Sequence, residues 1–179
     1  MKKIVVVTGS VRSVRATDGL AKTVVKKLEE SKEFEVSLAD IRELQLPLFD
    51  APVPPSVESF STDHENVKAW TQTIAQADGV VLLTPEYNAG LSAAQKNAID
   101  WMSKEWKEKP VVAVGYGWHA AASALRHLHD VFERLGAHQA SRNAQLTFMQ
   151  QINPDGTVID EAYVDKELSE AIDSLRSIL

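Results

Sequence analysis

The sequence predicts a three-layer α/β/α domain on a five-stranded parallel sheet, and three observations carry that expectation. Short apolar, β-branched runs alternate with amphipathic stretches along the whole 179-residue chain. That is the pattern of strands covered on both faces by crossover helices. Polar, glycine-containing segments follow several of the apolar runs, as expected where buried strands emerge at a sheet edge. A hydrophobic fraction of 44% and a charged fraction of 25% are those of an ordinary globular domain.

The elements follow in order. Lys3 to Thr8 is a short β-branched run and reads as the first strand. Asp18 to Ser31 places Leu20, Ala21, Val24, Val25 and Leu28 at helical spacing. Glu33 to Ala39 alternates through Phe34, Val36 and Leu38, a second strand. Asp40 to Ser61 carries Pro47, Pro52, Pro54 and Pro55, four of the seven prolines, and is expected to be one long loop. A helix over Thr62 to Ala77, capped at Thr62 or Asp63, precedes a third strand at Gly79 to Leu83. A helix over Ser92 to Lys104 and a fourth strand at Pro110 to Gly115 come next. His119 to Leu135 is a helix stopped by Gly136, suited to a left-handed C′ position. Ala144 to Phe148 is the fifth strand, Asn153-Pro154-Asp155-Gly156 a turn, and Glu161 to Leu179 the last helix. No internal repeat or linker divides the chain, so one domain over 1–179 is expected.

Composition closes several functional classes. With no cysteine there is no disulfide, thiolate metal site or cysteine nucleophile. A net charge of −6 argues against a nucleic-acid surface. The opening Met1-Lys2-Lys3 and its short apolar run are too brief for a signal peptide. No stretch approaches the roughly 18 apolar residues of a membrane span, and a cytoplasmic location is expected.

Ligands of open parallel sheets bind beyond the carboxyl ends of the strands, near a topological switch point. Three loops lie there: Gly9 to Thr17, Pro85 to Leu91, and Gly115 to Trp118. The first leads into a helix N-terminus and offers Ser10, Thr17, Arg12 and Arg15, donors suited to a single phosphate monoester. It is neither G-x-x-x-x-G-K-[ST] nor G-x-G-x-x-G. A capped loop with two solvated arginines is the alternative, and Asp18 competes for the same helix end. His119, His127, His129 and His138 resemble a metal cluster only in number; His127 and His129 point to different helix faces, and surface positions are expected. Trp101 and Trp106 either stack on a ligand or pack a helix face or a subunit contact.

The stretches TGSVRSVR, TPEYNAGLSAAQKNAIDW and VAVGYGWHAAASALRHL, supported by LQLPLFDAP, DHENVKAWTQTIAQADG and FERLGA, resemble the NADPH-dependent FMN reductase family. The resemblance covers most of the chain and implies a flavodoxin-like fold with strand order 2-1-3-4-5. It implies FMN with its phosphate on Ser10, Arg12, Arg15 and the backbone near Thr17 and Asp18. It places Pro85, Glu86, Tyr87 and Asn88 along the ring, and Gly115, Tyr116, Gly117 and Trp118 on another side of it. NADPH or NADH is the implied co-substrate, and hydride passes by a ping-pong route to a quinone, flavin, azo compound or metal oxyanion. No catalytic side chain and no metal is implied, because the cofactor carries the chemistry. A homodimer or dimer of dimers is the implied assembly, with the helix bearing Asn97, Asp100 and Trp101 at the interface. A flavodoxin-like electron carrier and a flavin-free binding protein are the alternatives. The chain departs from the family in its fourth loop, where Ala120-Ala121 replaces paired glycines and Trp118 and His119 add bulk.

Overall fold

Lys2–Thr8 (β1) shows no alternation from Ile4 onward, because helices cover both of its faces. A computed structural model describes every residue from Met1 to Leu179. Thr17–Glu30 (α1), Phe34–Asp40 (β2), Ile41–Leu44 (α2), Glu65–Gln76 (α3), Gly79–Pro85 (β3) and Ala93–Asp100 (α4) follow in order. Pro110–Gly117 (β4), Ala122–Leu135 (α5), His138–Gln139 (β5), Ala144–Thr147 (β6) and Glu161–Arg176 (α6) complete the chain. The sheet runs β2-β1-β3-β4-β5, with β6 also beside β4, and every pairing is parallel. This is the flavodoxin-like order that the sequence led us to expect.

Two cores flank the sheet. Ile4, Val6, Val81 and Val114 pack against Leu20, Val24 and Leu28 of α1 and Leu168, Ile172 and Leu175 of α6. Val5, Val7, Leu82 and Ala113 pack on the opposite face against Trp70 and Ile74 of α3, Ile99 of α4, and Leu128 and Phe132 of α5. Burying each of the larger side chains stabilises the fold by about 1.5–3 kcal/mol. Gly136 ends α5 at φ 71, in the left-handed position expected of it.

Three features depart from the expected elements. The segment expected to be irregular from Asp40 opens with one helical turn, α2, because the Asp40 carboxylate accepts from Arg42 N as an N-cap. Gln45 then ends it in a left-handed conformation. The fifth strand position is shared by two pieces: β5 pairs with Pro110 and Val111, and β6 with Val114 to Gly117. In the gap, Asn143 Oδ1 accepts from Ala113 N at 2.8 Å, so a side chain takes the place of a ladder carbonyl. His138-Gln139 has no apolar signature, which is why only the second piece was legible. Finally, α4 stops at Asp100 and α5 starts at Ala122, each helix shorter than its amphipathic pattern. No helix is long and apolar enough to cross a membrane.

Candidate functional site

The chain leaves β1 and β3 side by side, with Thr8 opposite Leu83, at the point where the strand order reverses. Gly9 is required there: a Cβ would lie 2.4 Å from the Leu83 carbonyl oxygen and 2.6 Å from Pro85 Cδ. From Val11 to Thr17 the only backbone N–H with a partner is that of Arg12, which reaches Ser10 Oγ at 3.4 Å. Ala16 precedes α1 without a side-chain cap. The loop up to the first residue of a 14-residue helix therefore presents free amides and the positive end of the helix dipole, an anion-binding arrangement.

Arg12 is exposed at this loop, whereas Arg15 is not free to serve as a second solvated cation. The Arg15 side chain is only 2% exposed and pairs with both oxygens of Asp40, with Asp18 and with the Ser10 carbonyl. Asp40 holds the guanidinium charged and pushes its pKa further up against the opposing effect of burial. Asp18 is thereby drawn to Arg15 at 2.8 Å. Thr17 is fully buried and its hydroxyl meets that of Tyr116, whose burial raises the phenol's pKa above its ordinary 10.0. The side chains of Arg15, Thr17 and Asp18, expected near the phosphate, are thus engaged with protein partners, although Arg15 still borders the cleft.

The loop after β3 forms a tight hairpin. Tyr87 and Gly90 exchange two backbone hydrogen bonds of 3.0 Å each, and Asn88 and Ala89 between them have φ 49 and 61. Positive φ at both central residues is the type I′ arrangement, which asparagine tolerates and alanine adopts only at a cost. Asn88 sits exposed at the tip, away from the cleft. The base of the loop is tied down: Ser92 donates to the Gly9 carbonyl and caps α4 through Gln95 N, while Gln95 Nε2 donates to Thr84 Oγ1 at 3.2 Å.

Pro85 lies opposite Tyr116, and Gly117 opposite Thr147, so the third and fourth loops and the end of β6 share one edge. Between them opens a cleft of about 320 Å³. Of the residues expected at the cofactor, Ser10, Arg12, Arg15, Pro85, Glu86, Tyr87, Tyr116, Gly117 and Trp118 line this cleft; Thr17, Asp18, Asn88 and Gly115 do not. Gly115 is closed off inside β4, where a Cβ would lie 2.8 Å from Leu125 Cδ1. Val14, Ala16, Phe148 and Pro154 are lining residues that sequence reasoning missed. Phe148 stands edge-on to Trp118 at 5.6 Å and tilted to Tyr116 at 6.2 Å, and Trp118 is 63% exposed at the rim. Its place just after the last strand was the available signal. Pro154 arrives because Gly156 (φ 85) seats the 153–156 turn on Ala16, where a Cβ would lie 1.9 Å from the carbonyl oxygen.

The other candidates do not line the cleft. Trp101 and Trp106 are buried, and each indole donates to a backbone carbonyl, Pro47 at 2.9 Å and Ile99 at 3.2 Å. Asn97 accepts from Phe49 N and donates to the Pro47 carbonyl, both at 2.8 Å, so Asn97 and Trp101 pin the proline-rich loop. His129 stands near Asp130 and Glu133, all three exposed, and its ring nitrogen meets Gln139 Oε1 at 3.0 Å.

The family model described as NADPH-dependent FMN reductase matches residues 2–149. The chain is 38% identical over 129 residues to an NAD(P)H-dependent FMN reductase of Schizosaccharomyces pombe, across 70% of this chain and 64% of that protein. It thus spans under two thirds of that relative's length. It is 32% identical over 174 residues to a quinone reductase of Escherichia coli, across 91% of this chain and 88% of the relative. Among solved structures, the flavoenzyme NAD(P)H:(acceptor) oxidoreductase FerB of Paracoccus denitrificans shares the fold with a TM-score of 0.72 at 24% identity, over 99% of this chain and 97% of that one.

Proposed function

The chain belongs to the NADPH-dependent FMN reductase family, and from that premise we propose that its cleft holds one FMN and that it is an NAD(P)H-dependent oxidoreductase. One observation carries the reading. A run of unpaired amides before an uncapped helix opens directly into an aromatic-walled cleft at the switch point of the sheet. The donors fit the cofactor. The amides from Val11 to Thr17, the Ser10 hydroxyl and Arg12 suit a phosphate monoester, and Arg12 is the cation available to it. The wall formed by Pro85, Glu86 and Tyr87 faces Gly117, Trp118 and Phe148, a slot suited to a planar ring.

FMN held there by Ser10, Arg12 and the loop amides would supply the redox chemistry, hydride acceptance from NADPH or NADH and electron delivery to a small oxidised acceptor. The residues position and shelter. Ser10 and Tyr87 hold the two loops together, and Arg15 keeps the first loop open by engaging Asp40 and Asp18. Phe148 and Tyr116 exclude water from the inner wall, and no side-chain acid or base is required. A cleft of this volume favours donor and acceptor taking turns, the ping-pong order, with a quinone, flavin, azo compound or metal oxyanion as acceptor. One FMN-binding unit over 1–179, a cytoplasmic location and a homodimer or dimer of dimers belong to the same proposal.

The test is anaerobic stopped-flow absorbance of the FMN-loaded protein. Bleaching of the flavin band by NADPH or NADH, followed by return of colour on adding a quinone, is expected. A spectrum unmoved by both nucleotides refutes the reading.

A further inference from the structure

The second helix end near the cleft is closed, and what closes it bears on the acceptor. Helix α5 starts after Ala120 and Ala121, both left-handed at φ 51 and 55, and has no side-chain cap of its own. Glu86, at the end of β3, supplies the cap from outside: its Oε2 accepts from Ser123 N at 2.8 Å and Ala124 N at 3.3 Å. The same residue lines the cleft beside Gly117 and Trp118. Its partners are backbone N–H groups, while the neighbouring Arg126 donates to Ser123 Oγ instead.

The two helix ends therefore differ in sign. At α1 the uncapped terminus and Arg12 attract an anion. A 14-residue helix such as α5 contributes about half a positive charge at its start, and within the cleft the Glu86 carboxylate turns that into about half a negative one, since Arg126 is exposed, screened by solvent and outside the lining. Resting on the reading of the cleft as the FMN site, we propose that Glu86 is a specificity-determining residue that excludes anionic groups from the Trp118 end. The acceptor class taken there is an uncharged ring, in preference to an oxyanion or a sulfonated compound. Phe148 and Trp118 supply apolar surface for such a ring, and the two arginines of the lining belong to the loop after β1, where Arg15 is already paired with Asp40 and Asp18.

The experiment measures binding without turnover. FMN-loaded wild-type protein and Glu86→Gln are titrated calorimetrically with 1,4-naphthoquinone and with its 2-sulfonate, with no reductant present. Glutamine keeps a cap oxygen and removes the charge. Wild-type protein is expected to favour the neutral quinone, and E86Q to narrow that preference about three- to tenfold by binding the sulfonate more tightly. A preference unchanged in E86Q overturns the proposal. The wild-type protein alone gives a second reading should E86Q fold poorly: raising salt from about 0.05 to 0.5 M screens repulsion and tightens the sulfonate. Salt that loosens the sulfonate also overturns the proposal. Failure of the FMN reading would appear separately, as flavin that NADPH and NADH do not bleach; a protein whose flavin is bleached but that binds neither quinone overturns this proposal alone.

Discussion

Ser10 Oγ lies 2.6 Å from the Tyr87 hydroxyl, joining the loop after β1 to the hairpin after β3 at the mouth of the cleft. The two residues are 77 positions apart, and each belongs to one of the two loops that flank the switch point. The bond sets how far apart the free amides of one loop stand from the opposite wall.

Tyr87→Phe removes that bond and little else. A hydrogen bond of this kind contributes about 0.5–1.5 kcal/mol, so the melting temperature falls by only a few degrees. FMN affinity falls about three- to tenfold, read by quenching of flavin fluorescence. Affinity equal to wild type would show that the pair serves stability alone.

Arg12→Ala tests which arginine faces the phosphate. Loss of one charge-assisted contact costs about 1.5–3 kcal/mol, a factor of about 10–150 in the FMN dissociation constant. Riboflavin, lacking the phosphate, binds both proteins alike in the same titration. Equal losses for the two flavins would show that Arg12 does not read the phosphate.

Asp40 ties stability to acid pH. Arg15 holds its carboxyl below the ordinary 3.8, helped by Arg42 N and the Thr8 hydroxyl and opposed by burial. The unfolded chain takes up the proton first, so this contribution is complete above pH 3.8 and is lost as pH falls from there through the lower folded value. Asp40→Asn leaves a buried guanidinium short of a partner and costs about 3 kcal/mol at neutral pH. Urea melts across pH 2.5 to 7 should show that loss, with a flatter acid limb in the variant.

Ala89→Gly relieves the hairpin. Alanine at φ 61 costs about 1–2 kcal/mol, and glycine returns about 0.5–1 kcal/mol of that in unfolded-chain entropy. A net gain of about 0.5–1 kcal/mol is expected as a higher urea midpoint with an unchanged slope. A lower midpoint would mean that the Ala89 methyl makes a contact worth more than the strain.

The architecture was legible because strands and helices announce themselves by local period. The β-branched runs at 4–7, 80–83 and 111–114 became the central strands, and the spacing of Leu20, Val24 and Leu28 became the buried face of α1. A polar turn straight after a buried strand marked the segment from Pro85 as a candidate loop, and Pro85, Glu86 and Tyr87 of it line the cleft while Asn88 does not. The split fifth strand was not, since Asn143 replaces a ladder carbonyl with a side chain and leaves no pattern. Ala120 and Ala121 were read as positions where glycine would sit more easily, and both adopt positive φ.

The sequence by itself determined the order of elements, the edge of the sheet where loops gather and the residue types within reach of it. Tertiary structure decided which of those side chains are free. Arg12 and Arg15 are three residues apart in one loop and chemically alike, yet one is solvated and the other is locked. The difference is Asp40, which the parallel pairing of β1 with β2 sets opposite Thr8. A charge keeps or loses its partner through neighbours brought together by pairing and packing, and no local period in the chain records that choice.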